Sequence, residues 1–206
     1  MLGLKNRPDE RGYQLAKNVL ILFDHTATHY LGVNWLSELK KPFGEAFLVQ
    51  EILLNSSDLK PCMGCFGCWV KTPGKCVITT DSADQLSNSF IHADTVILLS
   101  KVTYGGYSAD IKAFLDRSIV NISPIFIIKS GEMHHKKRYP NYPDLVAFGY
   151  GDMTADEADT FETLAERNAL NLHSQRHIAL TARNRGEMEQ AAETLQQFLT
   201  KAGREK

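Results

Sequence analysis

The sequence lacks any apolar run long enough to cross a bilayer. Stretches such as residues 19–23 and 95–99 fall far short of the ~20 residues a spanning helix needs, so no membrane span is expected. It also lacks an excess of charge of either sign. Lys plus Arg number 23 and Asp plus Glu 24, a net charge of -1, so no electrostatic footprint points to nucleic acid or to an anionic membrane surface. Residues 1–18 carry Lys5, Arg7, Asp9, Glu10, Arg11 and Lys17 and have no apolar stretch of signal-peptide length. Secretion is therefore not expected, and the expected location is cytoplasmic. Cysteine is scarce: four residues, Cys62, Cys65, Cys68 and Cys76, lie within one short stretch. That clustering excludes a distributed disulfide framework and fits a compact metal or redox site in a reducing compartment. Internal repeats, low-complexity tracts and linkers are absent as well, and 206 residues with 43% apolar content can bury one full core. One domain is expected over residues 1–206, with an N-terminal extension at 1–17 and a long loop at 122–143.

Strand and helix signals alternate along this chain. Residues 19–23 (Val-Leu-Ile-Leu-Phe) form a short unbroken apolar run, as expected of a strand covered on both faces of a parallel sheet. Residues 46–53, 95–100, 145–148 and 177–181 read as four further strands. A helix is expected over residues 30–41, where Leu31, Trp35 and Leu39 recur every four positions before Pro42. Others are expected at 81–92, capped by Asp81 or Ser82, and after Gly105-Gly106, where Ile111, Phe114, Leu115 and Ile119 share a face. Residues 156–172 and 186–201 give two amphipathic helices. Crossovers between parallel strands are right-handed, so the pattern implies an α/β, flavodoxin-like, doubly wound three-layer sandwich: a five-stranded parallel sheet in the order 2-1-3-4-5.

In such sheets ligands bind beyond the carboxyl ends of the strands, where strand order reverses. The first strand exits into Asp24-His25-Thr26-Ala27-Thr28-His29, a polar turn leading to a helix whose N–H groups suit a phosphate, or one in which Asp24, Thr26 or Thr28 simply caps that helix. The third exits into Lys101-Val102-Thr103-Tyr104-Gly105-Gly106-Tyr107-Ser108. There paired glycines admit a flat ligand close to the backbone and two tyrosines offer stacking faces; the plainer reading is a strand-to-helix turn with Ser108 as N-cap. The fourth ends at Gly149 and Gly151.

At this point the chain resembles the NADPH-dependent FMN reductase-like flavoproteins, which include the iron–sulfur flavoproteins. Three stretches carry the resemblance: Pro61 to Cys76 followed by Asp81; Ser100 to Arg117, with Thr103-Tyr-Gly-Gly-Tyr-Ser108 and Leu115-Asp116-Arg117; and Gly131-Glu-Met-His134-His135 with Arg138-Tyr139. It is specific from Pro61 to Arg117 and compatible in topology from Val19 to Gly203. The resemblance implies FMN, electrons from NAD(P)H, and often a homodimer or higher homo-oligomer. In place of the family's Gly-Ser-Pro-Arg type phosphate loop this chain has Phe23-Asp-His-Thr-Ala-Thr-His29. Asp24 would repel a phosphate, leaving Thr26, Thr28, backbone N–H groups and a cationic His25 or His29 to hold it.

Cys62, Cys65, Cys68 and Cys76 suit a 4Fe-4S cluster or zinc, or are plain thiols shaping a loop beside the flavin. His134, His135, Lys136, Lys137 and Arg138 read as a solvated basic rim or as contacts for the phosphate of a nicotinamide donor, and Asp116 with Arg117 as an ion pair. Three functions compete. The first is an FMN-dependent oxidoreductase passing electrons from NAD(P)H to a small acceptor such as a quinone, a nitro compound or free flavin. The second is an electron carrier with a cluster on the four cysteines, and the third a non-enzymic signalling module that takes phosphate on Asp24.

Overall fold

The computed structural model of the protein describes residues 16–201 apart from 33, 42 and 45. In chain order the elements are β1 (Lys17–Asp24), α1 (Ala27–Leu31), α2 (Trp35–Lys40), β2 (Phe47–Leu54), α3 (Gly67–Val70), α4 (Ala83–His92), β3 (Thr95–Lys101), α5 (Ala109–Arg117), β4 (Ile122–Lys129), β5 (Glu132–Lys137), β6 (Asp144–Tyr150), α6 (Ala155–Asn171), β7 (His177–Ala182) and α7 (Arg185–Lys201). A 3₁₀ turn, Ser118–Asn121, follows α5.

Five strands form one parallel sheet in the order β2-β1-β3-β6-β7, the flavodoxin-like order expected once the intervening hairpin is set aside. Burial explains why the inner strands read as unbroken apolar runs. β3 is buried from Thr95 to Ser100, whereas the edge strand β2 mixes covered and exposed positions. One apolar layer joins Leu20, Leu22, Val96 and Leu98 to Phe90 of α4, Phe114 of α5 and Phe161 of α6. The opposite layer joins Val19, Ile21, Ile97 and Leu99 to Trp35 and Leu39 of α2 and to Leu195 and Leu199 of α7. Alternate residues of each central strand feed alternate layers, as the two-residue period of a strand requires.

Three expectations are corrected. The helix expected over residues 30–41 is two short helices, because Gly32 takes φ 80 and donates its N–H to Thr28 O, ending α1. Pro42, read as its stop, lies outside the described residues, as do residues 1–15 of the expected extension, and Lys17 already belongs to β1. Residues 122–143 are not an irregular loop. They hold an antiparallel hairpin, β4 against β5, turned by Ser130 at φ 53 and Gly131 at φ 81. Positive φ at both central positions is the type I′ geometry that matches strand twist. The hairpin is tied down where Lys129 Nζ donates to Leu170 O at 3.0 Å and where His173 Nε2 lies 2.7 Å from His135 O.

Candidate functional site

The strand order reverses between β1 and β3, so the exits of β1, β3 and β6 converge at the carboxyl edge. Asp24, the last residue of β1, is 1% exposed and binds all three together. Its Oδ1 accepts from the Thr26 amide (2.9 Å), the Thr26 hydroxyl (2.7 Å) and the Tyr150 hydroxyl (2.5 Å), while Oδ2 accepts from the Lys101 amide at 2.6 Å. Burial, reinforced by Asp24, pushes the Tyr150 phenol far above its ordinary value and keeps it a donor. The carboxylate foreseen as facing a phosphate is thus turned inward, and it has drawn the Thr26 hydroxyl in with it.

A second buried carboxylate lies beside the first. Asp110, in the first turn of α5 and 1% exposed, accepts on Oδ2 from the His25 amide (3.1 Å) and from His25 Nδ1 (2.5 Å), and on Oδ1 from the Ser56 amide (2.7 Å). Burial alone would raise this carboxyl; the bonds from His25 and Ser56 outweigh burial and hold it below the usual carboxylate range. Reciprocally, Asp110 raises the His25 imidazole, and Asp24 adds to the effect. Asp110 and Tyr150 carry no motif, which is why sequence reasoning passed over them. The one available signal was an acid in the first turn of the helix that leaves the reversal point.

The β3 exit is built differently. The Thr103 and Gly106 amides and carbonyls bond to each other at 3.0 and 2.9 Å, closing a two-residue turn with Tyr104 at φ 50 and Gly105 at φ 73. A Cβ on Gly105 would meet Thr160 side-chain atoms at 2.7 Å, so the turn lies directly on α6. The phenol of Tyr104 stands 91% exposed at the tip. No bond is formed by the amides of Tyr104, Gly105 or Tyr107 among the described residues. Tyr107 is no second stacking face: it is 7% exposed and packed edge-on against Phe161, at 5.1 Å between centroids. Ser108 precedes α5 without a side-chain capping bond, and its Oγ is buried with no partner.

The remaining expected residues divide. Gly149 does not face the crevice, because a Cβ there would strike Val102 at 2.6 Å and Phe161 at 2.9 Å; Val102 is likewise buried. Gly151, at φ +112, stands beside Lys101, whose Nζ lies 4.6 Å from the centroid of the Tyr30 ring. Thr28 and His29 are exposed on α1. His29 and Gly151 line a cleft of about 580 Å³ that runs to Arg183 and Arg185 at the β7 exit.

Cys62, Cys65, Cys68 and Cys76 surround a small apolar pocket walled by Ile78, Arg117, Ile119 and Val120. Burial, then the thiols of Cys76, Cys62 and Cys65, push Cys68 above its ordinary value. Arg117 does not pair with Asp116. It is 2% exposed and grips Asp81 at 2.8 and 3.1 Å, while Asp116 pairs with Lys112. The donor set suits a metal cluster, yet the thiols do not converge as ligands: no group of three or more His, Cys, Asp or Glu able to hold a metal ion occurs among the described residues. His134 and His135 lie on β5, where His135 Nδ1 donates to Ser123 O (2.8 Å) and the ring packs against Trp69; Lys136 and Lys137 are exposed.

A flavin's two ends meet different conditions here. The ring end finds the unbonded amides of Tyr104, Gly105 and Tyr107 and an exposed phenol, and it fits. The phosphate of FMN does not fit the β1 exit, where the His25 and Thr26 amides are committed to buried carboxylates.

The fold is that of a flavodoxin-like α/β protein. No family model matches the chain. In sequence it is similar to an iron–sulfur flavoprotein of Methanocaldococcus jannaschii, 40% identical over 74 residues (36% of this chain, 37% of the relative), and to one of Archaeoglobus fulgidus, 35% identical over 81 residues (39% and 36%). The chain thus spans little more than a third of the length of the curated relatives it matches. In fold it matches the azoreductase of Bacillus anthracis (TM-score 0.64, 13% identity, 88% of this chain and 99% of that one) and an NAD(P)H:quinone oxidoreductase of Methanothermobacter marburgensis (TM-score 0.66, 9% identity, 93% and 99%). The expected resemblance to iron–sulfur flavoproteins holds in sequence over little more than a third of the chain, and the solved structures bear out the flavodoxin-like fold. No helix among the described residues is long and apolar enough to cross a membrane.

Proposed function

We propose that this chain is a flavin-dependent oxidoreductase of the cytoplasm that takes electrons from NAD(P)H and hands them to a small acceptor such as a quinone, a nitro compound or free flavin. The observation that carries the reading is the β3 exit: a tight turn with unbonded amides and one fully displayed phenol, at the strand-order reversal of a flavodoxin-like sheet. A bound flavin would supply the hydride and single-electron chemistry. The chain's part is to hold and orient. Tyr104 would cover a ring face, the amides of Tyr104 and Gly105 would meet its polar edge, and the Lys101 ammonium, resting over Tyr30, would favour negative charge nearby. Asp24 and Tyr150 keep the three exits in register beneath it. Asp24 is 1% exposed and already accepts four hydrogen bonds, which speaks against a phospho-accepting signalling role. A homodimer in which the basic end of the hairpin, Lys136 and Lys137, closes over the partner's crevice accords with this reading.

The visible spectrum of purified protein, before and after flavin is added, tests the proposal. Flavin absorption that NAD(P)H bleaches anaerobically and an acceptor restores is expected; a colourless protein that leaves added flavin unperturbed overturns it. Tyr104→Ala should weaken flavin binding about twofold to tenfold, the worth of one aromatic contact, with stability unchanged. A second reading keeps an iron–sulfur cluster, because all four cysteines line one pocket, and it requires their thiols to draw together from their present positions. Iron and sulfide analysis after anaerobic purification decides it.

A further inference from the structure

The β1 exit is where a phosphate would sit in a sheet of this order, and four of the six amides from His25 to Tyr30 are already spent. The His25 amide bonds Asp110 at 3.1 Å and the Thr26 amide bonds Asp24 at 2.9 Å. The His29 and Tyr30 amides return to Thr26 O at 3.1 and 3.2 Å. The Ala27 and Thr28 amides and the exposed Thr28 hydroxyl are left, at the head of a helix of five residues whose dipole is correspondingly small. The Thr26 hydroxyl faces Asp24, with its oxygen 2.9 Å from that of Tyr150. Beneath the loop lie two carboxylates, each 1% exposed. Among the described residues their charge is offset at close range by the His25 ring, while Lys101 directs its ammonium onto Tyr30.

A phosphate monoester carries nearly two negative charges at neutral pH and needs several donors at once. Here a carboxylate of the chain already occupies that role. A ribityl chain needs no positive field, and its hydroxyls both donate and accept. Resting on the flavin reading above, we propose that this crevice selects the flavin without its phosphate, so that a riboflavin-type ligand is held at least as tightly as FMN. Asp110 is the specificity-determining residue: it consumes the donors and adds the repelling charge. His25 moderates it, because a protonated ring cancels that charge. The ionisable groups facing His25 are Asp110 from α5 and Asp24 from β1; Ser56, after β2, brings only an amide to Asp110.

Fluorescence titration of the flavin-free full chain with riboflavin and with FMN, at pH 6 and pH 8, tests this. The riboflavin Kd is expected to equal or fall below the FMN Kd at pH 8, with the ratio shifting toward FMN at pH 6. Asp110→Asn should raise FMN affinity about tenfold relative to riboflavin. Should that variant fail to fold, His25→Gln, which keeps Asp110, should shrink the shift between pH 6 and pH 8 to the part set by the ligand phosphate's own second ionisation, at about pH 6. A preference of the unsubstituted chain for FMN at pH 8 overturns the proposal and leaves the flavin reading standing. Binding of neither flavin overturns both.

Discussion

The two turns that leave the central strands of the sheet are about equally short, yet they use their polar groups in opposite ways. After β1, the amides and side chains of His25 and Thr26 are directed inward onto Asp24 and Asp110. After β3, the backbone closes on itself between Thr103 and Gly106 and leaves its tip, Tyr104, almost wholly in solvent. The first turn is a structural knot and the second is an open platform. The contrast teaches that a position at the ligand-binding edge of a doubly wound sheet does not by itself make a loop a ligand site. What decides is whether the loop's donors are already satisfied by the protein.

The sharpest way to break that contrast is to cut the knot. Asp24→Ala removes the acceptor of four hydrogen bonds, strips the Thr26 and Lys101 amides of theirs and leaves the buried Tyr150 hydroxyl only the Thr26 hydroxyl as partner. Chemical denaturation should show a loss of about 3–5 kcal/mol, the cost of breaking a buried charged network on one side. Asp24→Asn, which keeps an acceptor oxygen, should lose distinctly less. A loss under about 1 kcal/mol for Asp24→Ala would mean that the β1 exit is no more committed than the β3 exit.

The sheet was legible from sequence because central parallel strands must be apolar on both faces, so residues 19–23 and 95–100 announce themselves. The hairpin was not. Ser130 and Gly131 mark its turn, but Ile125, Phe126, Ile128 and Met133 are exposed, so burial imposes no alternation there from which a strand could be read. The break at Gly32 was masked by the four-residue spacing of Leu31, Trp35 and Leu39, which a kinked pair of helices preserves: Trp35 and Leu39 remain buried at 3% each. At the site, the Thr103–Gly106 turn could be read from its glycines. Asp110 could not, because its partners His25 and Ser56 come from 85 and 54 residues away and no local spacing records them.

The platform can be tested by closing it from below. Gly105→Ala places a Cβ at φ +73, which disfavours any L side chain, and 2.7 Å from Thr160 on α6. Gly32→Ala meets the same conformational penalty at φ +80 with nothing within 4 Å. Gly32→Ala should therefore cost about 1–2 kcal/mol, from backbone strain alone, and Gly105→Ala should cost more by about 1 kcal/mol or above because α6 must also shift. Equal losses in thermal or chemical denaturation would show that the turn does not rest on α6 and that its tip is free to move.

The smallest effect belongs to His25, and its sign follows from the direction of its shift. Asp110 raises the imidazole above its unfolded value of about 6.5. A group bound more tightly to its proton when folded contributes stability that is fully present below about pH 6.5 and is lost as pH rises through the folded value. Asp110, held low by the same pair, contributes in the opposite sense and loses its share only on acidification below the ordinary carboxylate range. Between those limits the pair is at full strength. The His25 side chain is 60% exposed, so solvent screens the interaction and its amplitude should lie well below the first two effects. Denaturation midpoints for the unsubstituted chain and His25→Gln should run parallel from pH 5 to pH 6 and draw together above about pH 7. Curves that stay parallel to pH 9 would mean that the ring carries no proton on Asp110's account, leaving the β1 exit with two uncompensated carboxylates rather than one.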